Sequence, residues 1–230
     1  VLRELLASSR PEYLAWQMAA VGGLGEGLRA RGLGSKETPA LLSLAREDSS
    51  NLSAQVMGLF QRSAGLALDL RRPLAKRLAA VSLLAEGDFA LSGVTLEKLI
   101  EPQQPFEIQS AAIRALGRLV PAEKSMLFVQ RARWNTYTPT VRDALLAVLT
   151  GNQSFLPTFL AAVEAGEVPA YTVNPERRNQ LMHHKDAAIK ARAEKLFKDL
   201  TPGDRMQTYE QSKSVLELPG DSRNGHAVFQ

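Results

Sequence analysis

The chain has 230 residues, 45% hydrophobic and 23% charged, enough apolar length for one compact core and too much for a disordered segment. It contains no cysteine, which excludes disulfides, thiolate metal ligands, a cysteine nucleophile and a CxxCH haem attachment within these residues. A formal charge of +4, from 28 basic and 24 acidic residues, is too small a bias to name nucleic acid or a membrane surface as partner.

Helix signals run along nearly the whole chain, and the alternating Val/Ile/Thr runs of strands are missing. The predicted class is all-α. The chain opens at Val1 without a basic segment followed by an apolar run, as expected of a piece of a longer polypeptide. No apolar run approaches the roughly 18–20 residues that span a bilayer.

In residues 1–70 the helices are less regular. Leu14, Met18, Val21, Gly25 and Leu28 form one apolar stripe, with a glycine-rich interruption expected between Gly22 and Gly34. GGLGEG lacks the G-x-x-x-x-G-K-[ST] of a phosphate loop and follows no strand, so close helix packing or a kink is expected there. GLGSK at 32–36 predicts a turn before a cap at Thr38-Pro39. Further starts that pair a capping residue with Pro at the first helical position are Thr138-Pro139, Asn174-Pro175 and Thr201-Pro202. Val141, Ala144, Leu145, Val148 and Leu149 fall on one face. So do Ile189, Ala193, Leu196, Phe197 and Leu200, and also Phe155, Leu156, Phe159, Leu160 and Val163.

Gapless self-similarity links KRLAAVSLL from Lys76, IQSAAIRAL from Ile108, VRDALLAVL from Val141 and IKARAEKLF from Ile189. Each places a long polar residue second (Arg77, Gln109, Arg142, Lys190), a small one soon after (Ala79, Ala111, Ala144, Ala193) and a bulky apolar one ninth (Leu84, Leu116, Leu149, Phe197). Partner helices are expected at TLEKLIE from Thr95, AEKSMLFVQRAR from Ala122 and the Phe155 stripe, with one extra helical piece in the last interval. Helix pairs repeating at this period predict a HEAT/armadillo-like α-solenoid of stacked antiparallel pairs in residues 71–200; a tetratricopeptide array is disfavoured because its Trp, Gly, Tyr and Pro signature does not recur. Residues 201–230 are expected to form a linker helix and then change character.

No catalytic set assembles from local spacing: there is no Ser/His/Asp arrangement and no HExxH. His183 and His184 are consecutive, about 100° apart on a helix, and suit a helix C-terminus followed by an Asp186 cap better than a metal site. The acids Glu47, Asp48, Glu86 and Asp88 sit beside turn residues and are expected in solvated loops. Catalytic, cofactor and metal residues are therefore set at none. The candidate interaction surface is a basic and aromatic group, Arg131, Arg133 and Trp134 with Arg177 and Arg178, on the argument that stacked repeats bring equivalent positions onto one ridge. Such a ridge suits an acidic protein or, as the alternative, a nucleic acid gripped in the manner of HEAT-like DNA glycosylases.

The stretch FLAAVEAGEVPAYTVNPERRNQLMHHKDAAIKARAEKLF, followed by YEQSKSVLELPGDSRNGHAVF, resembles the HEAT-repeat region of planctomycete-type haem-binding proteins, just before their C-terminal cytochrome c module. Gly220, Asp221, Gly225 and Phe229 match the GD-x-x-x-G-x-x-x-F opening of that module, and no cysteine follows before Gln230. The resemblance implies a non-catalytic scaffold or spacer within an exported, periplasmic, dehydrogenase-like polypeptide. Its partners are the flanking propeller and cytochrome domains, with a protein docking on the repeats. The resemblance places haem c downstream of residue 230 and no cofactor on this chain. Haem ligation and dehydrogenase activity are implied for no residue here.

Overall fold

The computed structural model describes residues 1–7, 13–47, 51–200 and Lys213. Two compact units divide between Val168 and Pro169, inside the 71–200 segment, while residues 70 and 71 belong to the same unit. The predicted Thr201-Pro202 cap, the linker helix and the Gly220–Phe229 junction lie outside the described residues.

The first unit contains α1 (Leu2–Leu6), α2 (Leu14–Ala30), α3 (Ala40–Glu47), α4 (Leu52–Leu68), α5 (Leu74–Leu84), α6 (Phe89–Leu99), α7 (Phe106–Leu119), α8 (Arg131–Trp134), α9 (Pro139–Gly151) and α10 (Leu156–Glu164), with 3₁₀ turns at Ala122–Phe128 and Gln153–Phe155. The second contains α11 (Pro175–Met182) and α12 (Ala187–Phe197), flanked by 3₁₀ turns at Ala170–Thr172 and Lys198–Leu200. The described residues are helical, with no strand beyond the single bridge Gly34–Pro39. No single described helix is long and apolar enough to cross a membrane.

Helix starts follow the predicted chemistry at most sites. The Thr138 hydroxyl accepts from Val141 N, the Asn174 side chain from Arg177 N, and the Asp186 carboxylate from Ala188 N and Ile189 N, each satisfying a backbone donor that has no intrahelical acceptor. Thr38 differs. Its hydroxyl lies 3.0 Å from Ser35 Oγ, and α3 begins two residues later, so Thr38 closes the preceding turn instead of capping.

In the first unit α2, α5, α7 and α9 form a row in which each packs on the next. Helix α4 covers α5 and touches α6, α6 covers α7, and α10 packs on α9. Met18, Val21, Leu59, Val81, Leu84, Ile113, Leu116 and Leu149 are all buried between these layers. Of the interruption expected between Gly22 and Gly34, the first part is absent because α2 runs through to Ala30, and GGLGEG instead makes the close packing that was its other expectation. Gly22 lets α2 approach α5, since a Cβ there would lie 3.2 Å from Leu83 N, and Gly25 makes room for Glu86, whose Cβ and Cγ would lie 2.8 Å from a Cβ at that position. The true turn uses Gly32 and Gly34, both at φ +77°, where a side chain would be strained.

Two further expectations shift. AEKSMLFVQRAR is not one helix: a 3₁₀ segment ends at Phe128, and α8 starts only at Arg131. Phe128 is drawn into the core, its ring centroid 5.9 Å from that of Phe155. In the first two repeats the small residue that allows close approach is displaced by one position, Ala80 and Ala112 being fully buried while Ala79 and Ala111 are half-exposed; Ala144 is half-exposed as well, and Ala193 is buried as expected.

Candidate functional site

The long polar residue of each repeat has a defined job in the first unit. Arg77 Nε donates to Ala67 O at 2.8 Å, at the end of α4, and Arg77 Nη2 donates to Gln104 Oε1. Gln109 Nε2 donates to Ile100 O at 3.2 Å and Glu101 O at 2.8 Å, just past α6. Arg142 Nε donates to Trp134 O at 3.0 Å and Arg142 Nη2 to Asn135 O at 3.2 Å, at the end of α8. In each pair the second helix thus donates to carbonyls at or just past the end of the first, of which Trp134 O also accepts from Tyr137 N and Glu101 O from Gln104 N.

The predicted basic and aromatic surface is placed unevenly. Trp134 is only 1% exposed, so it packs in the core and offers no stacking face. The side chain of Arg131 lies outside the described residues, and Arg133 is half-buried. Arg177 and Arg178 belong to the second unit. Arg178 is buried and donates from Nη1 to Leu200 O, and Arg177 is half-exposed and engaged. A stripe of exposed cations and aromatics therefore loses Trp134 and Arg178 to the interior.

His183 Nδ1 lies 2.9 Å from Asn179 O, and His184 Nδ1 accepts from Asp186 N at 3.1 Å, local contacts of the α11–α12 turn. Among the described residues no group of three or more His, Asp or Glu is arranged to hold a metal ion.

The site that sequence spacing did not single out lies in the first unit, where α2, α5, α7 and α9 end. A cavity of about 510 Å³ opens between the turn Leu33–Lys36, the start of α3, the last turns of α2, α7 and α9 and the residues just after α5 and α9. Glu86, expected in a solvated loop, is 7% exposed. Its carboxylate accepts from Arg29 Nε at 3.4 Å and Arg29 Nη2 at 3.2 Å. Arg118 Nη2 stands 3.8 Å from the same carboxylate, beyond hydrogen-bond reach, and Arg118 Nε is buried without a partner. Burial pushes the Arg118 guanidinium below its ordinary value, helped by Arg29 and opposed by Glu86.

The rim is built. Ser35 Oγ accepts from Glu37 N at 3.2 Å and Thr38 N at 3.1 Å, and it donates to Glu37 Oε2 at 2.9 Å. That last bond is the first cause of the lowered Glu37 pKa. Lys36 reaches from this turn to sit 5.7 Å above the Phe155 ring. A signal for the site did exist in the repeats: Glu86, Arg118 and Gly151 each stand two residues past the ninth column, and all of them line the cavity.

Comparison with protein-family models, curated proteins and solved structures finds no match to this chain.

Proposed function

We propose that this chain is a HEAT/armadillo-like α-solenoid with a non-catalytic scaffold role. It holds flanking domains of an exported, haem-containing, dehydrogenase-like polypeptide at a set separation and offers its side to a docking protein. The observation that carries this reading is the recurrence of Arg77, Gln109 and Arg142 in register, each donating to carbonyls at or just past the end of the helix before it. A repeated lock between paired helices, and a row of neighbours sharing core, make a stack whose length scales with the number of repeats. Such a stack sets distance, and electron transfer between flanking domains depends on distance.

Haem c in this reading belongs to the polypeptide beyond Gln230, and the periplasm is its compartment. The reading is supported by the resemblance of the Gly220–Phe229 junction to a cytochrome opening.

The test is removal of one helix pair, α6 with α7 (residues 88–120), from the parent polypeptide. Transfer between the flanking domains is expected to change while each domain keeps its own chemistry, as read by single-domain assays beside stopped-flow reduction. Unchanged transfer overturns the spacer role.

A further inference from the structure

We propose that the cavity beneath the Leu33–Lys36 turn binds a small organic monoanion, a carboxylate on an apolar body, with Arg118 as its anchor. This goes beyond the scaffold reading and does not depend on it.

The carboxylate of Glu86 is engaged by Arg29 through two donors. Arg118 stands at 3.8 Å from it without a hydrogen bond. Its guanidinium is therefore held by charge beside a fixed carboxylate while its Nη donors make no hydrogen bond among the described residues; Nε is buried and is not among the atoms that face a ligand. A planar fork with unused donors matches a carboxylate. Lys36 adds a second cation at the rim, in no ion pair among the described residues and poised above Phe155. Leu33, Pro39, Leu41, Ala85 and Leu119 supply apolar wall, and the volume of about 510 Å³ suits a ligand of drug-like size.

The charge balance selects a monoanion. With Arg29 facing Glu86 at 3.2 Å and Glu26 at 4.0 Å, and Lys36 offset by the neighbouring Glu37, Arg118 is the cation left for a ligand, and the C-terminal ends of α5, α7 and α9 oppose a larger negative charge through their dipoles. A doubly charged phosphate ester is disfavoured by the same ends.

The purified chain is titrated calorimetrically with phenylbutyrate, its neutral amide phenylbutyramide, and the peptide acetyl-Gly-Leu-Phe as free acid and as amide. Each acid is expected to bind saturably and about tenfold more tightly than its amide. The tighter of the two acids identifies a metabolite or a peptide C-terminus as the source.

Arg118→Gln is expected to lower acid affinity about tenfold and leave amide affinity unchanged. Gly151→Leu provides a variant independent of the ion cluster: Gly151 lines the cavity and a Cβ there meets nothing within 4 Å, so the added side chain is expected to take up cavity space. It is expected to abolish binding with thermal unfolding unmoved. Equal binding of acid and amide, wild-type titration by Gly151→Leu, or no saturation to about 10 mM overturns the assignment.

Discussion

In the first unit three successive helix pairs are locked from the second helix backwards, through Arg77, Gln109 and Arg142. The α11–α12 pair of the second unit carries the same sequence column but is locked from the first helix forwards. There Lys190 is exposed and only approaches Glu194 at 3.9 Å on its own helix, while Arg178 of α11 reaches past α12 to Leu200 O. The difference shows that a long polar side chain becomes a lock only where neighbours bury it beside a helix end. A guanidinium or amide has directional donors suited to carbonyls, whereas an ammonium left in water keeps its hydration and contributes little.

That contrast can be broken by substitution. Arg77→Ala is expected to cost the most, about 3 kcal/mol, because it empties a buried site and leaves the Ala67 carbonyl and Gln104 without their donor; urea unfolding measures it, and a loss below about 1 kcal/mol would remove Arg77 from the role of lock. Arg178→Ala is expected to cost about 2 kcal/mol, confined to the second unit. Hydrogen exchange should show lost protection in α12 and none in α4 or α5, so protection lost across both units would contradict independent locking. The smallest pair sharpens the comparison within one column. Arg142→Ala, at a half-buried site, is expected to cost about 1 kcal/mol, and Lys190→Ala no more than about 0.5 kcal/mol. Equal losses in the two would erase the distinction between the units.

Much of the helical order is legible in the sequence. Thr138, Asn174 and Asp186 were recognisable as caps because capping needs only a short acceptor a fixed number of residues before a donor, and the buried stripe of α10 followed from periodicity. Close packing at GGLGEG was legible, but the continuity of α2 through it was not. Glycine lowers helix propensity locally, and only the close approach of α5 makes those glycines favourable. The broken segment after Ala122 escaped for a similar reason, since Phe128 is pulled to Phe155 by a core that spacing alone does not reveal.

The sequence by itself determined the all-α class, three of the four proline-marked or acidic helix starts it named within the described residues, and the column that recurs from Lys76 to Ile189, because each depends on neighbours a few residues apart. Tertiary structure alone decided which members of that column are locks, that Trp134 is core, and that Arg29, Glu86 and Arg118 meet at a cavity. Burial and electrostatic pairing arise between helices far apart in the chain, where local spacing carries no information about which side chain will lose its water.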